Sequence, residues 1–203
     1  MGSYQFGGRS DSYIEFPNRG KIDTKESITI LAWIEQRGGT GPIFSYKRSG
    51  GGVRFGIRSS RTLYVNFVRR GLTATKSLFS RAIRPMRWQF VGATYHGKAG
   101  LAKLFVGRRF TASKYIGRFR LATNYPARMG AVIGDRRYFR GRISCMQIYG
   151  KALTTRQILR RKRRCFRKGR AIKSIMSHKL KCEERATTFN VSIAFKRRQD
   201  GVS

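Results

Sequence analysis

The segment YFRGRISCMQIYGKALTTRQI, Tyr138–Ile158, decides the fold. Its first half predicts a strand whose side chains alternate between two faces. One face carries Ile143, Cys145, Gln147 and Tyr149, and the other carries Ser144, Met146 and Ile148. Apolar or semi-polar side chains on both faces indicate a strand that is covered by another layer on each side. Thr154 and Gln157 have the spacing of a capping box, so a short helix is predicted to begin there.

Between Tyr13 and Tyr149, short β-type runs are separated by glycine-rich or basic turns. In SITILAWI, Ser27–Ile34, alternate residues are isoleucine or alanine, and Leu31 and Trp33 lie on the opposite face. The further predicted strands are GPIFSY at 41–46, VRFGI at 53–57, LYVNF at 63–67, a hairpin of 87–95 and 99–106 around His96-Gly97-Lys98, and a strand near Ala131–Ile133. Turn signals every 8–12 residues or so predict a sandwich or barrel.

In their order along the chain, these pieces resemble laminin-G-like and pentraxin-like domains of the concanavalin A-like superfamily. In such modules a glycine-bearing corner, an isoleucine strand ending in tyrosine and an Ala-Leu turn recur near the end, as in Tyr138–Ile158. WQFVGATYHGKAGLAKLFVGRR, Trp88–Arg109, also resembles the family's strand pair, although the asparagine usual before Gly107 is absent. The resemblance implies an all-β jelly-roll sandwich of two antiparallel sheets, with one short helix after the closing strand.

The resemblance extends from about Tyr13 to Cys165, so we assign residues 1–166 to the sandwich. Residues 167–203 lack a clear period and are expected to form a basic, poorly ordered tail. The alternative is that Phe189–Phe195 adds one more strand to the sandwich.

The chain has three cysteines, Cys145, Cys165 and Cys182. A helix that folds back on its strand could bring Cys145 and Cys165 within disulfide reach, and members of the resembled family often carry a cysteine pair in this arrangement. The resemblance therefore implies a Cys145–Cys165 disulfide, with two free thiols in a cytosolic protein as the alternative. No Cys-x-x-Cys motif is present, and His96 and His178 are far apart in sequence, which argues against a zinc site.

The nine acidic residues do not form the closely alternating carboxylates of glycosidases on this fold. His96 lies in a predicted turn, and no phosphate-binding glycine loop is present. Asp135, between basic neighbours, is the one plausible calcium ligand, and a salt bridge explains it better. The sequence therefore predicts a protein that is not an enzyme and that uses no cofactor or metal.

The net charge of +36, from 45 Lys and Arg against 9 Asp and Glu, is the remaining functional signal, because few of these cations can find an acidic partner within the chain. No apolar run of about 18 residues exists, so no membrane span is expected. The amino terminus does not resemble a signal peptide. Relatives of such modules are generally extracellular, and the same location is expected here, with the chain as a mature fragment or an incomplete sequence.

Two basic clusters, at the corner before the closing strand and on the helix, form the predicted ligand-binding surface. Its residues are Arg136, Arg137, Arg140, Arg142, Arg156, Arg160, Arg161, Arg163 and Arg164. Arginine pairs bidentately with carboxylate and phosphate, and laminin-G-like modules often bind sulfated glycans through basic patches. The predicted partner is an anionic glycan or extracellular matrix. The alternatives are a protein-binding adhesion module with incidental charge and, with less support, a nucleic-acid-binding protein.

Overall fold

The computed structural model describes residues 3–20, 22–46, 52–73, 75–132, 136–165 and 190–192. They form a jelly-roll sandwich of two antiparallel sheets and one helix near the carboxyl end, as predicted. Sheet A contains, in spatial order, β1 (Tyr4–Gly7), β12 (Arg140–Tyr149), β3 (Ser27–Gln36), β8 (Trp88–His96), β9 (Leu101–Val106) and β10 (Arg109–Tyr115). Sheet B contains β2 (Ile14–Phe16), β11 (Ala127–Met129), β4 (Gly41–Tyr46), β5 (Arg54–Ser59), β6 (Thr62–Val68) and β7 (Thr75–Ser80).

The core between the two sheets is aromatic and aliphatic. Its largest fully buried side chains include Phe44, Tyr46, Phe55, Phe67 and Tyr95. The alternation predicted for β3 is confirmed, because its isoleucines and Ala32 face this core while Leu31 packs on the opposite side of sheet A. A period of two therefore gives each face of this central strand its own apolar layer.

The outer layer on sheet A is the helix α1 (Thr155–Arg164). Leu153 and Ile158 are buried there beside Leu31, Phe105 and Tyr149. The closing strand β12 is thus covered on one face by the sandwich core and on the other by α1, as its composition predicted.

The predicted alternation within β12 is wrong beyond Ser144. The strand contains an irregularity between Ser144 and Gln147, with one residue more than the facing stretch of β3, and Cys145 adopts a left-handed φ of 49°. This bulge reverses the faces of the residues that follow it. Ile143 therefore faces the sandwich core together with Met146 and Ile148.

Two further differences concern the strands that the sequence analysis placed or omitted. The strand expected near Ala131–Ile133 lies at Ala127–Met129, between β2 and β4. The strands β1, β7 and β10 were not predicted. Within the segment assigned to the tail, the structure describes only β13 (Asn190–Ser192), which pairs with the end of β12.

The start of α1 has the predicted capping box. The Thr154 hydroxyl accepts a hydrogen bond from the Gln157 amide at 3.4 Å, and the Gln157 side chain accepts one from the Thr154 amide at 2.9 Å. We expect Thr154→Ala to lower the free energy of unfolding by about 1 kcal/mol, because it leaves a helix amide without its acceptor. Thr154→Ser retains the acceptor and serves as the control in urea denaturation. Equal stability of the two variants would contradict the assignment.

Candidate functional site

The outer face of sheet A carries a row of aromatic side chains that α1 covers only in part. The rings of Trp33 and Phe90 lie 5.5 Å apart, and Phe105 continues the row at 6.2 Å from Phe90. Trp33 is half-buried, whereas Phe90 and Phe105 are fully buried. The end of the row at Trp33 therefore contributes an indole ring to the surface.

A groove of about 960 Å³ opens at this end of the row. Trp33 and Trp88 line it, together with Lys162 from α1 and the connection 81–87 between β7 and β8. Trp88 is 38% exposed, so a second indole edge is available to a ligand. Clefts of this size, with aromatic walls and a few polar groups, are typical of ligand sites.

The connection 81–87 is fixed to the sandwich by backbone hydrogen bonds. The Ile83 amide donates to the Arg61 carbonyl at 3.1 Å, and the Met86 amide donates to the Gln36 carbonyl at 2.8 Å. The arginines of this connection are consequently presented from an anchored backbone. Such an arrangement reduces the ordering cost of binding.

Cations line the groove from four separate parts of the chain, and no carboxylate is among the described residues that line it. They are Arg61, Arg81, Arg84, Arg87, Arg109 and Lys162. The five arginines are exposed, which leaves their guanidinium groups accessible to an anion.

Lys162 is held in place by two contacts. Its Nζ donates to the Gly107 carbonyl at 2.9 Å and lies 5.2 Å from the Trp33 ring centroid. Burial lowers the pKa of Lys162, and the charge of nearby Arg108 lowers it further. An anion in the groove would favour the charged form of this lysine.

The acidic residues of the described chain are all engaged elsewhere. Each forms an ion pair with arginine, and the pairs are Asp11–Arg9, Glu15–Arg128, Asp23–Arg70, Glu26–Arg120, and Glu35 with Arg37 and Arg142. None of these pairs includes a groove cation. Within the described ranges, the charge of the groove is therefore not neutralised by direct contact with a carboxylate of this chain.

Of the predicted corner cluster, Arg142 contacts a residue that lines the groove. Arg136, Arg137 and Arg140 are exposed, and Arg142 forms an ion pair with buried Glu35. The Arg142 guanidinium carbon also lies 5.1 Å from the centroid of the Trp88 ring, the ring that lines the groove. Arg142 therefore supports Trp88 and is itself paired internally.

Glu35 is the acid that holds this corner together. The hydrogen bond from Arg37 lowers the pKa of Glu35, burial opposes that shift, and Arg142 lowers the pKa further. Arg142 Nε donates to this carboxylate at 2.7 Å. The arrangement keeps Glu35 ionised and fixes Arg142 at neutral pH.

The predicted helix cluster occupies two sides of α1. Arg156, Arg160 and Arg163 share an exposed face, as their spacing of four and three residues requires. Arg161 lies over the Tyr149 ring at 5.0 Å, and the side chain of Arg164 is outside the described part of the structure. None of the predicted helix arginines whose side chains the structure describes lines the groove, whereas their neighbour Lys162 does.

The ligand-binding surface predicted from the sequence therefore includes none of the groove cations, although Arg61 and Lys162 stand in basic clusters that are visible in the sequence. Three of the groove cations stand in RAIRPMRW, Arg81–Trp88, where arginine recurs every third residue before a tryptophan, and this local density was an available signal. The others, Arg61, Arg109 and Lys162, come from distant parts of the sequence and meet only in the fold.

The predicted disulfide is confirmed, and it connects β12 with the end of α1. Cys145 and Cys165 have Cα atoms 6.0 Å apart. The Gln147 side-chain amide donates to both sulfurs at 2.9 Å, and the Tyr149 hydroxyl donates to the Gln147 side-chain oxygen at 2.6 Å. The bridge thus fixes the helix that carries Lys162 onto sheet A.

The described residues contain no group of three or more His, Cys, Asp or Glu side chains placed to hold a metal ion. Asp135, the calcium candidate, lies outside the described residues. No helix within the described ranges has the length and apolar character needed to cross a membrane.

Over residues 6–159 the chain matches the family model of the concanavalin A-like lectin/glucanases superfamily. Among solved structures, it resembles the CBM40 domain of the Ruminococcus gnavus IT-sialidase bound to α2,3-sialyllactose, with a TM-score of 0.66 and 13% identity over 78% of this chain and 96% of that one. It also resembles the native heptameric SAP-like pentraxin of Limulus polyphemus, with a TM-score of 0.57 and 17% identity over 77% of this chain and 79% of that one.

A putative carbohydrate-binding protein from Bacteroides ovatus has a similar fold, with a TM-score of 0.59 and 20% identity over 76% of this chain. The matched region spans only 46% of that protein's chain. At these identities the likeness concerns the fold alone. The comparison with curated proteins finds no match.

Proposed function

The chain belongs to the concanavalin A-like lectin/glucanases superfamily, and we propose that it is a non-catalytic, extracellular module that binds anionic glycans. The ligand occupies the groove between α1 and the connection 81–87, with the flanking arginines of the corner and helix clusters as secondary contacts. The main support for this proposal is the composition of the groove. Its described lining residues include six cations and two indole rings, and no carboxylate is among them.

The chemistry of these side chains supports an anionic sugar chain as ligand. Arginine donates bidentately to planar anionic groups, and its bonds to anions are stronger than neutral hydrogen bonds. Indole rings offer apolar faces that exclude water around the polar contacts. The combination fits a ligand that alternates charged groups with ring faces, as a sulfated or carboxylated glycan does.

Two relatives point in the same direction. The CBM40 domain is described with α2,3-sialyllactose, a saccharide whose sialic acid carries a carboxylate. The Bacteroides ovatus protein is described as a putative carbohydrate-binding protein. The Cys145–Cys165 disulfide supports an oxidising, extracellular compartment. Binding of this kind requires no reaction at the glycan.

The test is titration of the protein with heparin over a range of salt concentrations, with neutral dextran as the control polymer. We expect heparin affinity to fall linearly on a double-logarithmic plot against salt, because each neutralised anion releases counterions. Dextran should not bind measurably.

Two outcomes would favour other functions. Equal affinity for heparin and for random duplex DNA of matched charge density would indicate generic electrostatic binding. Heparin binding that persists unchanged at about 0.5 M salt, where exposed charges are strongly screened, would contradict a groove based on ion pairing and favour a protein-binding adhesion module.

A further inference from the structure

We propose that the ligand is a long, linear polyanion. Its chain continues from the groove, along the edge of the sandwich formed by β7 and β10, into a second cationic cleft. This inference rests on the proposed function and deepens it. On this proposal the protein recognises an internal stretch of a polymer, because a terminal sugar fills only one of the two sites.

The second cleft consists of two adjoining hollows of about 360 and 270 Å³ that share Lys76, Ile116 and Gly117. The cations that line them are Arg69, Lys76, Lys114 and Arg118, all of which are exposed. Tyr115, with 65% of its surface exposed, adds an aromatic wall. The cleft therefore repeats the combination of cations and ring that characterises the groove.

One wall of this cleft is anchored by a buried tyrosine. The Tyr95 hydroxyl lies 3.0 Å from the carbonyls of both Gly117 and Phe119, and it accepts a hydrogen bond from the Phe119 amide at 2.9 Å. The Tyr95 and Phe119 rings stack with centroids 5.0 Å apart. The segment that carries Arg118 is thereby held in one conformation.

The opposite wall of the cleft is the turn after β6, and it is hydrogen-bonded to the chain just after Arg118. The Arg70 amide donates to the Arg120 carbonyl at 2.7 Å, and Arg70 Nε donates to the Leu121 carbonyl at 3.1 Å. The Arg70 side chain also forms an ion pair with Asp23. Arg69 and Lys76 consequently project from a backbone whose position the fold determines.

Two edge strands connect the cleft with the groove. The strands β7 and β10 are the last strands of their sheets and lie alongside each other. Arg81, just past the end of β7, lines the groove, whereas Lys76 near its start lines the cleft. On β10, Arg109 at the start of the strand lines the groove, and Lys114 near its end lines the cleft.

The path between the two sites is short, and the charged residues described at both of its ends are all cations. Five strand residues correspond to about 17 Å, a distance that a polymer can bridge in one extended segment. No carboxylate is among the residues that the structure describes as lining either site. A polyanion that leaves the groove along this edge therefore meets further cations.

The experiment compares two heparin oligosaccharides by isothermal titration calorimetry, one short enough for the groove alone and one longer than the 17 Å or so between the sites. The test variant is Lys76→Thr with Lys114→Thr, because threonine suits exposed strand positions. The control variant, Arg19→Thr with Lys25→Thr, removes the same charge from exposed residues that line neither site. Thermal unfolding of both variants verifies that the fold is retained.

We expect the wild-type protein to bind the long oligosaccharide more tightly than the short one. The cleft variant should lose about tenfold in affinity for the long oligosaccharide, keep its affinity for the short one, and show a salt slope smaller by about 2. The control variant should change neither affinity by more than about twofold.

Equal losses for both oligosaccharides, or equal losses in both variants, would overturn the inference, because they would reflect overall charge. Wild-type protein that binds both lengths with the same affinity would also overturn it and leave the proposed function intact. Wild-type protein that binds neither would refute both together.

Discussion

Reversing the charge of Arg81, Arg84 and Arg87 together is expected to weaken heparin binding by about a hundredfold, equivalent to about 3 kcal/mol. The three guanidinium groups line one side of the groove, so three carboxylates there would repel the polyanion as well as remove its partners. Because the three side chains are exposed, the thermal midpoint should change little. Calorimetric titration of Arg81→Glu, Arg84→Glu, Arg87→Glu measures the effect.

The matched control places glutamate at Arg19, Lys25 and Lys151, which are exposed and line neither cationic site. This variant has the same net charge, so a similar loss of affinity would show that the total charge, and no particular site, governs binding. Reversal of Arg156, Arg160 and Arg163 in the same assay decides whether the ligand also crosses the exposed face of α1, as the sequence predicted.

Removing the disulfide by Cys145→Ala with Cys165→Ala is expected to lower the free energy of unfolding by about 3 kcal/mol, because the bridge closes a loop between residues 20 positions apart. For a chain of this size, the corresponding fall in the thermal midpoint is about 10 °C. The substitution also removes both acceptors of the Gln147 side-chain amide. Differential scanning calorimetry measures the change.

Reduction provides the control for this variant. Dithiothreitol should lower the midpoint of the wild-type protein toward that of the double variant and leave the double variant unchanged. A wild-type midpoint that falls by less than about 2 °C on reduction would show that Leu153 and Ile158 alone hold α1 on sheet A.

The central strands could be predicted because their sequence records the layers around them. In β3, Ile30 and Ala32 face the sandwich core, whereas Leu31 packs beneath α1, so a period of two is visible without other information. The capping box at Thr154 was equally local. Both signals lie within a few residues of sequence.

The edge strands and the bulge could not be predicted in the same way. TKSLFS in β7 carries only two large apolar residues, Leu78 and Phe79, because a strand at the margin of a sheet needs little burial. The bulge depends on a left-handed conformation at Cys145, which a non-glycine residue adopts only where tertiary contacts require it. Neither feature has a local sequence pattern.

The groove escaped prediction for a topological reason. The densest run of arginines in the sequence belongs to α1. The groove instead collects one or a few cations from each of four segments that are distant in sequence, such as those of Arg61 and Arg109. Charge density along the chain therefore points to α1, which borders the groove through Lys162, and does not identify the other residues that line the groove.

The position of β12 beside β3 has a consequence for biosynthesis. The Leu153 amide donates to the Thr29 hydroxyl across 124 residues of sequence. The contacts of β3 with β12 and with the chain after it therefore form only when the last part of the sandwich has been translated. At ribosomal rates of about 5–20 residues per second, this interval lasts between about 6 and 25 seconds. During it, β3 can pair with β8 on one side while its edge toward β12 remains unpaired, and a chaperone that shields this edge until β12 emerges would raise the yield of folded protein.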